Sequence, residues 1–258
     1  MKAGEIINII EEFAPCHFQE EWDNSGLMVG DSEREVSSVL LALDCTLDVV
    51  DEALDSGVGM IITHHPLIFK GIKRIGAKSL QDRMLSKIIK NDLVVYSVHT
   101  NIDKVPEGVS GIMADKLGLI NRVILSKSEN EGVGLGIVGE LTNEMSAEDF
   151  ITFVKERFGL SLIKSSKPLN GQVKKIALCG GSGGSLLSDA INSGAQVYIS
   201  GDLSYHNYFC EDGFMVIDIG HYESEIGVLD LLMSIILKKI PNFAVLRSKR
   251  SKNPIYYR

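Results

Sequence analysis

The chain has 258 residues, a formal net charge of −8, 45% hydrophobic and 23% charged residues. That composition excludes an intrinsically disordered chain, and the negative charge argues against a nucleic-acid-binding surface. Four scattered cysteines (Cys16, Cys45, Cys179, Cys210) form no CxxC pair, which excludes a disulfide framework or a thiolate zinc site.

The N-terminal MKAGEIINIIEEF places Ile6, Ile9, Ile10 and Phe13 on one helical face, and its acidic residues interrupt any signal-peptide core. The apolar runs 37–44 (SSVLLALD), 60–63 (MIIT) and 93–97 (LVVYS) predict buried strands, with helical spacing at 47–55 and 79–90 between them. Strands at 134–141, 175–179, 197–200, 214–219 and 243–247 alternate with helices at 147–158, 186–192 and 225–237. The alternation predicts an α/β fold of two similar units, with mixed, largely parallel sheets flanked by helices. The polar stretch 126–132 (SKSENEG) marks the expected boundary: 1–125 plus 221–258 form the first unit and 126–220 the second. No apolar run reaches membrane-spanning length, so the expected location is cytoplasmic, without membrane contact. The basic run around Lys238, Lys239, Arg247, Lys249, Arg250 and Lys252 reads as a solvated edge, because no aromatic residues interleave to stack bases.

Histidines and acids cluster at strand ends. His64 and His65 follow MIIT, His99 follows LVVYS, His221 follows FMVIDIG, and Asp44 ends SSVLLALD. In an open α/β sheet, sites form outside the carboxyl ends of the strands. Pro66 restricts His65 to extended backbone, where neighbouring side chains point apart, so the two imidazoles suit two ions, or one ion and a substrate. In HTNID, Asp103 is a ligand candidate or a turn cap, and His99 a ligand or an orienting group. In GHYESE, His221 and Glu225 are four apart and share a helical face, and Glu225 has two oxygens with which to bridge cations. Imidazole plus carboxylate suits zinc, iron(II) or manganese. His206 is expected in the core or in a pocket; Trp22 or Tyr222 could stack on a base, with core packing the favoured role for Trp22. The run 180–185 (GGSGGS) lacks a GxGxxG match and a Walker lysine, and reads as a tight turn more readily than as a phosphate cradle.

The motifs WDNSGLMVGD (22–31), ITHHPLIF (62–69), VHTNID (98–103), GGSGGS (180–185), SGDLSYH (200–206) and GHYESE (220–225) resemble those of the Nif-three-like dinuclear metal proteins, the GTP cyclohydrolase 1 type 2 homologues. The resemblance implies two divalent ions per chain (zinc, iron or manganese), held by His64, His65, Asp103, His221 and Glu225, with Glu225 bridging. It also implies a metal cleft between two α/β domains and a toroidal homo-hexamer. The activity it suggests is metal-dependent hydrolysis of a nucleotide-like or other small-molecule substrate, with Asp44 and His99 as candidates for proton transfer. A non-enzymatic metal-binding scaffold acting through protein partners is the other expectation.

Overall fold

A computed structural model describes residues 1–76, 78–256 and 258. In chain order the elements are α1 (Ala3–Phe13), β1 (Gly26–Val29), β2 (Ser38–Ala42), α2 (Leu47–Asp55), β3 (Met60–Thr63), α3 (Leu80–Lys90), β4 (Val94–Ser97), α4 (Thr100–Asp103), α5 (Val109–Leu117), β5 (Ile120–Lys127), β6 (Gly134–Ser146), α6 (Ala147–Phe158), β7 (Lys164–Ser165), β8 (Gln172–Ser182), α7 (Leu187–Asn192), β9 (Val197–Gly201), β10 (Met215–Asp218), α8 (His221–Glu225), α9 (Val228–Lys239) and β11 (Ala244–Arg247). The chain divides into two compact units, Met1–Ile102 with Val228–Arg258, and Asp103–Gly227. The α/β architecture expected from the alternation is present in both. The polar stretch 126–132 is the turn of the antiparallel β5–β6 hairpin and lies inside the second unit, where its polarity serves an exposed turn.

The first unit is built on a five-stranded sheet, ordered β1-β4-β3-β2-β11. β11, β2, β3 and β4 run parallel, and β1 closes one edge antiparallel to β4. Every residue of β3 and β4 is buried, which is why both read as unbroken apolar runs. Leu40, Ile61 and Val95 on the sheet pack with Val49 of α2 and Met84 and Ile88 of α3. Thr46 caps α2 by accepting from the Val49 N–H, and Ser79 forms a capping box with Asp82 at α3. Because the four strands are parallel, their carboxyl ends lie at one edge, and the residues just beyond them gather there.

The segment after β11 is fastened to α2 by one carboxylate. Glu52 accepts hydrogen bonds from Ser248 Oγ (2.5 Å) and from the backbone N–H groups of Lys249 (2.9 Å) and Arg250 (3.0 Å). Burial pushes the Glu52 carboxyl up, but these donors and the Arg250 charge outweigh it and hold the group below its ordinary 4.5. A carboxylate with a depressed folded value stabilises fully above its unfolded value, and the contribution is lost as pH falls through the folded one. Glu52→Gln is therefore expected to cost about 2 kcal/mol near neutrality. The deficit should shrink as pH falls below 4.5. Thermal unfolding of both proteins across that range checks it; a deficit independent of pH would contradict it.

The second unit carries a six-stranded sheet, ordered β5-β6-β8-β9-β10-β7. Only β8, β9 and β10 are mutually parallel, so its antiparallel share exceeds that of the first sheet. One face packs on α5 and α6 through Met113, Phe150 and Val154 against Ile176, Val197 and Ile217. The other buries Tyr198, Val216, Leu186 and Ala190. The sequence suggests one helix over 225–237, but the structure has two. The chain breaks after Glu225, near Gly227, where a side chain would stand 2.7 Å from Ile112. The break leaves His221 and Glu225 together on the short α8.

A candidate metal centre

In the first unit the carboxyl ends of β3 and β4 bring three imidazoles together. His64, His65 and His99 each present a nitrogen within 4.8 Å of the others. The rings of His64 and His65 lie 5.0 Å apart, tilted by 47°, so they converge rather than diverge. The expectation of opposed side chains fails because the strand ends at Thr63. Its hydroxyl donates to the His65 carbonyl (2.8 Å) and bends the chain there.

Each imidazole is oriented through Nδ1. His64 Nδ1 donates to the Val98 carbonyl (2.8 Å), His65 Nδ1 to Asp44 Oδ1 (2.8 Å) and His99 Nδ1 to Asp23 Oδ1 (2.7 Å). Carbonyls and carboxylates only accept, so Nδ1 carries a proton in each ring. That arrangement fixes the tautomer a metal ligand needs, and a carboxylate behind the ring makes it a better donor. Asp44, a candidate for proton transfer, is thus placed against His65. Asp23 carries no mark in the sequence that sets it apart. Its carboxylate is fully buried and accepts from His99 and from both the N–H (3.0 Å) and hydroxyl of Thr100. Burial raises the Asp23 carboxyl, but these bonds outweigh burial and hold it well below the ordinary carboxylate range.

In the second unit the same device recurs at the ends of β9 and β10. His221 Nδ1 donates to Asp202 Oδ2 (2.9 Å), and His221 Nε2 lies 3.0 Å from Glu225 Oε2. Asp202 has φ of +49°, a left-handed conformation uncommon outside glycine, held where its carboxylate meets His221. Glu225 is 4% exposed and sits over the glycine run. Gly181 has φ of +63°, and a Cβ there would stand 2.2 Å from Glu225 Oε1, so only glycine lets the strand pass beneath the carboxylate. The N–H groups of Gly180, Gly181 and Gly183 donate to the hydroxyls of Ser110, Ser224 and Ser200. The run is therefore a tight turn packed under α8, with those N–H groups already engaged. Asp103 ends α4 and, with Glu225, acts on the thiol of Cys179, which burial and then these charges push up to about 12. Cys45 is pushed up to about 12 by burial and by Asp44. Both stay neutral, as expected for packed hydrophobes rather than thiolate ligands.

A further carboxylate missed in the sequence is Asp218, at the end of β10. It accepts from the N–H groups of Gly220 (2.9 Å) and Leu203 (3.1 Å) and from the Tyr208 hydroxyl (3.2 Å), and pairs with Lys164 (2.6 Å). Gly220 precedes His221 and Leu203 follows Asp202, so one buried group ties both loops. Two aromatic expectations are corrected. Trp22 is 59% exposed rather than in the core, because it rides on a surface turn beside His99. His206 is exposed as well, in a short turn with Tyr205 and Phe209.

The donor set of imidazole nitrogens and carboxylate oxygens fits divalent zinc, iron or manganese. A family model described as Duf34/NIF3 (NGG1p interacting factor 3) matches residues 1–254. A GTP cyclohydrolase 1 type 2 homolog of Clostridium perfringens is 39% identical over 100% of both chains. Among solved structures, a hypothetical protein of Staphylococcus aureus superposes with a TM-score of 0.90 at 31% identity, covering 100% of this chain and 99% of that one. The reduced HcgD of Methanocaldococcus jannaschii gives 0.82 at 31% identity, over 96% and 98%.

Proposed function

Because the chain belongs to the Duf34/NIF3 family, we propose that it binds two divalent ions through His64, His65, Asp103, His221 and Glu225 and acts as a metal-dependent hydrolase on a nucleotide-like or other small molecule. The observation that carries the reading is the shared orientation of the strand-end histidines. Each has Nδ1 engaged by an acceptor (Val98 O, Asp44, Asp23 or Asp202), and the same nitrogen orients the ring in all four.

Divalent ions bound there supply Lewis acidity and lower the pKa of water towards about 7. The chain's own part is orientation. Asp44 and Asp202 accept from Nδ1 of His65 and His221, which fixes the orientation of both rings. Asp23 does the same for His99, leaving its Nε2 free to accept a proton or to orient a substrate. Among the described residues no helix is long and apolar enough to cross a membrane. A cytoplasmic location is proposed from the sequence, and the toroidal homo-hexamer is carried over from the family resemblance.

The test is a substrate panel of nucleotides, phosphodiesters, cyclic amides and imidates, offered to metal-loaded and to chelator-stripped protein. Turnover of at least one class is expected, lost on stripping and restored by metal. Full metal loading without turnover across the panel would contradict the hydrolase reading and favour a metal-binding scaffold.

A further inference from the structure

The one tryptophan of the chain is exposed on a rigid turn. The segment 19–25 is pinned at several points: Glu20 N–H donates to Thr100 Oγ1 (2.9 Å), Asp23 N–H to the Glu20 carbonyl (3.0 Å), and Ser25 N–H to Gln19 Oε1 (2.7 Å). The buried Asp23 carboxylate, next in sequence to Trp22, locks the same turn to His99 and Thr100. Phe69 is 45% exposed on the chain that leaves His65, and Asn24 Nδ2 donates to the Ile68 carbonyl (2.5 Å), joining the two segments. The rings of Trp22 and Phe69 lie 5.9 Å apart, and each is within 6.4 Å of His99. Large aromatic side chains are mostly withdrawn from water. Two held open by fixed backbone, beside a histidine of the candidate metal centre, form a preorganised stacking surface.

The adjoining chain carries charge. Residues 69–78 (FKGIKRIGAK) include four cations and no acid, in a protein of net charge −8. Lys70, Lys73 and Arg74 are exposed, and among the described residues no ion pair holds them. We propose that Trp22 and Phe69, beside His99, form a recognition platform for a planar aromatic ring bearing an anionic group, with Lys70, Lys73 and Arg74 receiving the charge. This deepens the hydrolase reading and rests on it for the purpose of the platform, which is to set the aromatic end of the substrate next to the oriented imidazoles. Stacking on an aromatic side chain tolerates many rings, so the platform selects a class rather than one compound.

Trp22 is its own reporter, because no other tryptophan contributes to the fluorescence. Adenosine 5′-monophosphate, adenosine and inorganic phosphate serve as probes, with the metal content of each sample measured in parallel. The nucleotide is expected to quench Trp22 saturably, adenosine to bind about tenfold more weakly, and phosphate to leave the emission unchanged. Phe69→Ala should weaken nucleotide binding about tenfold, and because Phe69 is a surface residue the variant should fold. Lys73→Gln with Arg74→Gln should abolish the advantage of the nucleotide over adenosine. Unsaturable quenching, equal quenching by phosphate, or wild-type binding by Phe69→Ala would overturn the platform. So would blue-shifted emission from the free protein, since it would show a second copy already covering Trp22. Metal loading without quenching defeats the platform alone; quenching without any metal binding upholds it and defeats the metal reading alone.

Discussion

Glu225→Gln is expected to lose at least one divalent ion, or to bind it at least about 10- to 100-fold more weakly, while keeping its fold. The carboxylate is buried, 3.0 Å from His221 Nε2, and rests on a glycine run that leaves no room for it to swing away. Glutamine nearly preserves the volume, so the packing over Gly181 survives. It removes the negative charge and one acceptor oxygen, and with them the capacity to serve two cations. Glu223→Gln, on the same short helix, changes the same charge two residues away and should bind as the wild type. Zinc titration of the three proteins measures both stoichiometry and affinity. Two-ion binding by Glu225→Gln equal to that of the wild type would show that the bridging role belongs elsewhere.

Asp218→Ala is expected to destabilise the protein by about 3 kcal/mol, because it removes a buried acceptor and leaves its donors unsatisfied. The side chain is fully buried and serves two backbone N–H groups, a tyrosine hydroxyl and Lys164. Burial and then the Asp218 charge push the Tyr208 phenol upward, so that hydroxyl stays a donor and is stranded when the acceptor goes. Lys164 is largely in water and adds little to the loss. The effect should reach the site as well, since the two tied loops carry His221 and Asp202. Asp218→Asn keeps one acceptor and should fall between the two. Chemical denaturation gives the stability and zinc titration the affinity; wild-type stability in Asp218→Ala would mean that water replaces the carboxylate.

Much of this architecture is legible in the sequence because burial is uniform along its strands. MIIT and LVVYS are apolar on both faces since both faces are covered, and parallel strands deliver the residues beyond their carboxyl ends to one edge. The elements that escaped have the opposite character. β5 is an edge strand with five of its eight residues exposed and none buried, so INRVILSK shows no clean alternation. α5 is buried on nearly every side and contains Gly111, so VSGIMADKL has no polar face to betray a helix. The ligand-type residues stood out because histidine is rare here. Their partners did not. Asp23, Asp202 and Asp218 are ordinary aspartates in sequence, and only three-dimensional pairing separates them from turn caps. The convergence of His64 and His65 also needed the structure, because it depends on the Thr63 hydroxyl reaching the His65 carbonyl. The exposure of Trp22 ran against residue type, which favours burial, and resulted from the turn that Asp23 anchors.

Counting the ions decides whether His64, His65, Asp103, His221 and Glu225 hold a two-ion centre. Purified protein, stripped with chelator, reloaded with zinc, iron(II) or manganese and desalted, is submitted to elemental analysis against an accurate protein concentration. Close to two divalent ions per chain are expected for at least one of these metals. Protein that retains no stoichiometric metal after reconstitution, while still folded, would contradict that expectation.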